Sequence, residues 1–172
     1  MGQRTDIFDL GRLNLHSGEG RRIETEVSLE PIDLSGQAYS VAGGTAHVAL
    51  DMSHTTTGYA LRLRTRVGLI GPCVRCLEDA ERAVDVDVRE VDQPGGGDEL
   101  RSPYVEGENL DLRSWTRDAV IFAMPGQILC TDECRGLCPV CGENLNAGAA
   151  ADHRHEEMRD PRWAKLGELR FE

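Results

Sequence analysis

Between Tyr59 and Ile70 the side chains alternate: Leu61, Leu63, Thr65 and Val67 stand between Arg62, Arg64 and Arg66. Successive residues of an extended strand point to opposite faces, so this pattern predicts a strand with one buried and one cationic face. Residues 82–91, RAVDVDVREV, repeat the pattern with Val84, Val86 and Val88 against Asp85, Asp87 and Arg89. The segment CVRC lies between the two, as the tip of a long hairpin would, and pairing of the strands lets the Arg row face the Asp row. RIETEVSL (22–29) and TAHVALDM (45–52) alternate in the same way and predict two further strands.

The period changes after this. Residues 92–110 concentrate Pro, Gly and acids and predict a long exposed loop. DLRSWTRDAVIFAMP (111–125) has Asp111 as an N-cap, then Leu112, Trp115, Ala119 and Phe122 on one helical face, and Pro125 as its stop. Near the end, DPRWAKLGEL (160–169) places Asp160 as cap and Pro161 at the first helical position, with Trp163, Leu166 and Leu169 at helical spacing. Ile7, Phe8, Leu10, Leu13 and Leu15 suit a docking arm. The fold expected is α+β: a strand-rich antiparallel body with a few short helices and a zinc-ribbon-like C-terminal segment. The division falls at residue 125, with 1–125 as body and closing helix and 126–172 as cysteine-rich, zinc-binding segment ending in a short helix.

Length and charge narrow the function. A chain of 172 residues supports one main core. Its formal net charge of −11 disfavours general attraction to nucleic acid, which depends on Lys and Arg displacing counterions from phosphate. No stretch approaches the roughly 20 apolar residues that span a bilayer. The N-terminus, MGQRTDIFDLGRL, lacks the basic-then-apolar pattern of an export signal. These features predict a cytoplasmic protein with no membrane or DNA partner. In a reducing compartment six cysteines read as metal ligands or redox groups before they read as disulfides.

Four of the six fall in CTDECRGLCPVC (130–141). The tight turn Cys138-Pro-Val-Cys141-Gly142 presents two thiolates while backbone amides point at the sulfurs, and Cys130 and Cys134 complete a closed tetrahedral zinc site most simply. His153 or His155 can replace one of them. A closed site has no open position for water, so its zinc is structural. Three other readings stand beside it: unliganded thiols, an iron-sulfur site on Cys134, Cys138 and Cys141, and a separate role for Cys73 and Cys76. That pair has the spacing of a redox dithiol without its strand-to-helix setting, and it can also join Cys138 and Cys141 or form a buried turn.

CVRCLE at 73–78, a helix ending in proline, CRGLCPVCGENLN at 134–146 and DPRWAKLGEL together resemble the YceD family of large ribosomal RNA subunit accumulation proteins. The resemblance runs from about residue 60 onward. It places the family's motifs on Cys73, Arg75, Cys76 and Leu77, and on Cys134, Cys138 and Cys141. It implies a non-enzymatic ribosome-biogenesis factor needed for accumulation of large-subunit (23S) ribosomal RNA. Family members often carry a further Cys-x-Cys after the NLN segment. Here that region reads AAADHRHE, which makes His153 and His155 substitutes and leaves the fourth ligand open between Cys130 and His153. Arg62, Arg64, Arg66 and Arg75 are candidate contacts to RNA or to a partner. Asp98, Glu99, Glu106 and Glu108 would instead steer a basic ribosomal protein. The alternative class is a thiol- or metal-dependent enzyme of unknown substrate, although Gly95–Gly97 lack the Lys and Ser/Thr of a phosphate loop.

Overall fold

The computed structural model describes residues 7–146 together with His153 and His155. Nine strands and one α-helix lie within them: β1 (Ile7–Asp9), β2 (Gly20–Ser28), β3 (Ile32–Leu34), β4 (Gln37–Val41), β5 (Thr45–His54), β6 (Tyr59–Pro72), β7 (Asp79–Asp92), β8 (Val105–Glu106), β9 (Asn109–Asp111) and α1 (Leu112–Ala123). The helix expected at 160–169 lies outside the described residues.

The alternating rows form the main antiparallel sheet. β6 pairs along its whole length with β7, from Tyr59 opposite Asp92 to Pro72 opposite Asp79. On its other edge β6 pairs first with β5, which carries β2, and near its end with β4, which carries β3. Val48, Leu50 and Met52 from β5, Leu61, Leu63, Val67 and Leu69 from β6, and Val84 and Val86 from β7 are all buried in one cluster. Thr65 belongs to the same row, and its hydroxyl donates to the His47 carbonyl at 2.7 Å, which satisfies a buried polar group.

The Arg row meets acids on the opposite face. In the ladder Arg64 stands opposite Asp87 and Arg66 opposite Asp85. The side chains pair differently: Arg62 donates to Asp87 (Nε to Oδ1, 2.7 Å), Arg64 to Asp51 of β5 (2.6 Å), and Arg66 lies 3.6 Å from Asp85.

α1 packs against β7, β2 and β1. Asp111 caps it, accepting the Ser114 N–H at 2.9 Å and the Ser114 hydroxyl at 2.7 Å. The buried stripe is Leu112, Trp115, Thr116, Ala119 and Val120, spaced i, i+3, i+4, i+7 and i+8. Phe122 falls off this stripe and is 86% exposed, which corrects its expected place on the packed face.

The expected loop at 92–110 is partly built. Asp92 is 1% exposed and its carboxylate accepts from Arg101 Nε and Ser102 N, both at 3.1 Å. Beyond this clasp β8 and β9 form a hairpin whose outer edge takes up β1, giving a second sheet in the order β1-β9-β8. Val105 and Leu110 are buried in the common core. Elements of two and three residues are too short to carry a period, so the acids and glycines around them dominated the pattern. The β3–β4 hairpin, of three and five residues, is likewise too short for its period to stand out. Its turn uses Ser35 and Gly36 at positive φ (55° and 82°), with the Gly36 N–H donating to Asp33.

Candidate metal centre

The tip of the β6–β7 hairpin is a tight turn. The Leu77 N–H donates to the Cys73 carbonyl at 2.9 Å and the Cys73 N–H to the Glu78 carbonyl at 2.8 Å, with Leu77 at a left-handed φ of 63°. The turn points Cys73 and Cys76 inward, 0% and 3% exposed. The chain leaving α1 then runs along this tip. Val74 N–H donates to the Ile128 carbonyl (3.0 Å), Leu137 N–H to the Arg75 carbonyl (3.2 Å), and the Arg75 guanidinium to the Cys134 carbonyl (2.8 Å).

That path brings Cys130 and Cys134 to the hairpin cysteines. The sulfurs of Cys73, Cys76, Cys130 and Cys134 all lie within 4.8 Å of one another. Cys73 and Cys134 are 3.7 Å apart and Cys76 and Cys130 3.5 Å. A tetrahedron of sulfurs around zinc, with bonds of about 2.3 Å, has edges of about 3.8 Å, so the set is close to the size the ion requires.

The four thiols of this pocket are shifted in opposite directions. Burial pushes the Cys73 thiol up, but backbone N–H groups of Cys76, Cys130 and Arg75 outweigh it and hold the thiol down at about 6. Cys134 is likewise lowered against burial, by the Asn146 side-chain amide (3.3 Å from its sulfur) and the Gly136 N–H. Cys76, although the Glu78 backbone favours its thiolate, is pushed up to about 12 by burial and the neighbouring sulfurs. Cys130 is raised too: its bond with Cys76 lowers it, while Cys134, burial and Cys73 outweigh that bond. Two thiols are thus shifted toward the thiolate and two away from it by burial and the neighbouring sulfurs, a crowding that a divalent ion would relieve.

A second group stands further along the segment. Cys138, Cys141, His153 and His155 also place one donor atom each within 4.8 Å of the others. The knuckle turn around Cys138 is tight: the Val140 N–H donates to Cys138 Sγ at 3.4 Å and the Gly142 N–H to the Cys138 carbonyl at 2.8 Å. Gly142 supplies the positive φ of 77° that closes it. The N–H groups of Cys141 and Val140, assisted by His153, hold the Cys138 thiol down at about 6. The bond to Cys138 raises His153.

The expected single site of Cys130, Cys134, Cys138 and Cys141 is therefore divided. Cys130 and Cys134 group with Cys73 and Cys76, while Cys138 and Cys141 group with His153 and His155. The division occurs at Gly136, whose φ is 78° and where a Cβ would lie 3.1 Å from the Arg75 carbonyl oxygen. The chain turns there against the hairpin tip, so cysteines four residues apart in sequence face different points. Cys130 and His153 are both drawn into donor sets, but not into the same one. Cys73 and Cys76 do not meet Cys138 and Cys141. The position of Cys73-x2-Cys76 at the tip of the longest hairpin was the signal for the pairing, and proximity in sequence among the later cysteines masked it.

The fold and these clusters define a class: a small antiparallel-sheet protein whose hairpin tip and C-terminal segment converge on cysteine and histidine groups able to hold metal. Residues 61–170 match the family described as "Large ribosomal RNA subunit accumulation protein YceD", and the chain belongs to that family. It is 37% identical over 108 residues to an uncharacterized protein of Mycobacterium tuberculosis (strain H37Rv), a match covering 58% of this chain and 50% of that protein. It is 29% identical over 106 residues to an uncharacterized protein of Mycobacterium leprae, covering 58% and 48%. The chain thus spans about half the length of the curated relatives it matches. No solved structure matches it. No helix among the described residues is long and apolar enough to cross a membrane.

Proposed function

We propose that this protein is a non-enzymatic ribosome-biogenesis factor of the bacterial cytoplasm that supports accumulation of large-subunit (23S) ribosomal RNA. The observation that carries the reading is the family match over residues 61–170, which covers all but the first two residues of the β6–β7 hairpin and every cysteine. Zinc at Cys73, Cys76, Cys130 and Cys134 serves as a structural clasp. Four thiolates leave no coordination position for water, so such an ion fixes shape and activates no nucleophile.

The direct partner in this proposal is a basic ribosomal protein. Arg62, Arg64 and Arg66 already face Asp87, Asp51 and Asp85, and guanidinium groups so neutralised would displace few counterions from phosphate. The net charge of −11 and the exposed acids Asp98, Glu99, Glu106 and Glu108 favour a cationic partner instead. Depleting the protein in its host and measuring the ratio of large-subunit to small-subunit ribosomal RNA tests the function. The ratio is expected to fall and to recover when the protein is restored; an unchanged ratio overturns the proposal.

A further inference from the structure

We infer that the chain holds a second zinc ion, independent of the first and more readily exchanged, at Cys138, Cys141, His153 and His155. The inference rests on reading the four-thiolate cluster as the first, structural site.

The donor spacing fits. Cys141 Sγ lies 3.5 Å from His153 Nε2. In a zinc tetrahedron with Zn–S of about 2.3 Å and Zn–N of about 2.05 Å, the sulfur-to-nitrogen edge is about 3.6 Å. The two histidine Nε2 atoms are 2.9 Å apart, with the ring planes at 78° to each other. The corresponding nitrogen-to-nitrogen edge is about 3.3 Å, a relaxation of a few tenths of an ångström.

An independent feature singles out Nε2 of His153 as a ligand. Its other nitrogen, Nδ1, lies 3.0 Å from the Glu143 carboxylate. A carboxylate on Nδ1 fixes the tautomer that leaves the Nε2 lone pair free, orients the ring and strengthens its donation to metal. Glu143 is itself positioned by the knuckle, since its backbone carbonyl accepts the Cys138 N–H at 2.8 Å. One turn therefore supplies the first thiolate, the glycine that closes it and the carboxylate that aims the histidine.

The two donor sets differ in access. Three of the four sulfurs in the first are buried and the fourth is half-buried, whereas Cys141 and His155 in the second are exposed. A competing chelator or incoming thiol therefore reaches the second ion directly and the first only after the segment opens.

Zinc counted in the purified full-length protein is expected at two ions per chain. His153→Ala/His155→Ala should retain one. Refilling the wild-type chain with cobalt gives a second readout that needs no variant. The thiolate-to-cobalt charge-transfer intensity should roughly halve per ion between the first and second equivalents, because the second site has two thiolates. A chelating dye should remove the two-histidine ion first. Glu143→Gln should weaken that ion by about 10–100-fold and leave the other unchanged. A single ion that survives the histidine variant, or two ions that both survive it, overturns the second site. A single ion that the histidine variant loses also overturns the two-ion reading, because none then remains for the four-thiolate cluster to hold. Either count is separate from the ribosomal RNA ratio that tests the function.

Discussion

The β5–β6–β7 sheet and the segment from Gly126 to Asn146 lie against each other but are built differently. In the sheet, Leu50, Leu63 and Leu69 are 0% exposed and every strand is tied into a ladder of backbone hydrogen bonds. In the segment the pairing between strands is reduced to one bridge, Leu137 with Asn144, and the buried apolar positions are Ile128 and cysteines. Hydrophobic burial is distributed over many side chains and survives local damage. Metal ligation at the clustered donors would instead concentrate stability at a few atoms and be lost with them.

Metal removal should separate the two regions most sharply. Under reducing conditions a strong chelator is expected to abolish amide exchange protection across residues 126–146 and leave β5, β6 and β7 protected; uniform loss of protection in both would show that the sheet depends on metal as well. The reverse break is Leu63→Ala, expected to cost about 2–5 kcal/mol of global stability by denaturant unfolding while zinc content in the folded fraction stays unchanged. A smaller effect is expected at the helix that bridges β7 and β2: Asp111→Ala removes the cap and should cost about 1 kcal/mol. The smallest is Arg66→Ala, on an exposed ion pair, expected to change stability by less than about 1 kcal/mol.

Acid sharpens the contrast from another direction. Cys73 and Cys138 are held at about 6 against a reference of 9.0, so the folded chain favours their thiolates. A depressed acid contributes stability that is full above the unfolded value and is lost as pH falls through the folded value, here from about 9 down to about 6. Metal competes with the same protons and extends the window downward. Zinc release followed with a chromophoric chelator should therefore increase as pH falls, before the sheet unfolds. Release that does not respond to acid would contradict this assignment.

The long alternating strands were legible in sequence because a period of two over ten or more residues has few competing explanations. Asp111 as a cap was legible because a side-chain acceptor followed at once by helical spacing is a local signal. Phe122 was misplaced because a large apolar residue suggests burial even when it lies off the stripe that Leu112, Trp115 and Ala119 define. The short strands at 105–111 were hidden, since their stability comes from the Asp92 clasp and from β1, which reaches them from a hundred residues away.

The amino-acid sequence by itself determined that two strands form a hairpin around CVRC, that a capped helix follows, and that the later cysteines have the spacing of metal ligands. Each of these depends on residues close together in the chain. Which cysteines stand together was decided only by tertiary structure. The choice depends on how the segment after α1 crosses the hairpin tip and turns at Gly136, and donor atoms are selected by distance in space rather than by distance along the chain.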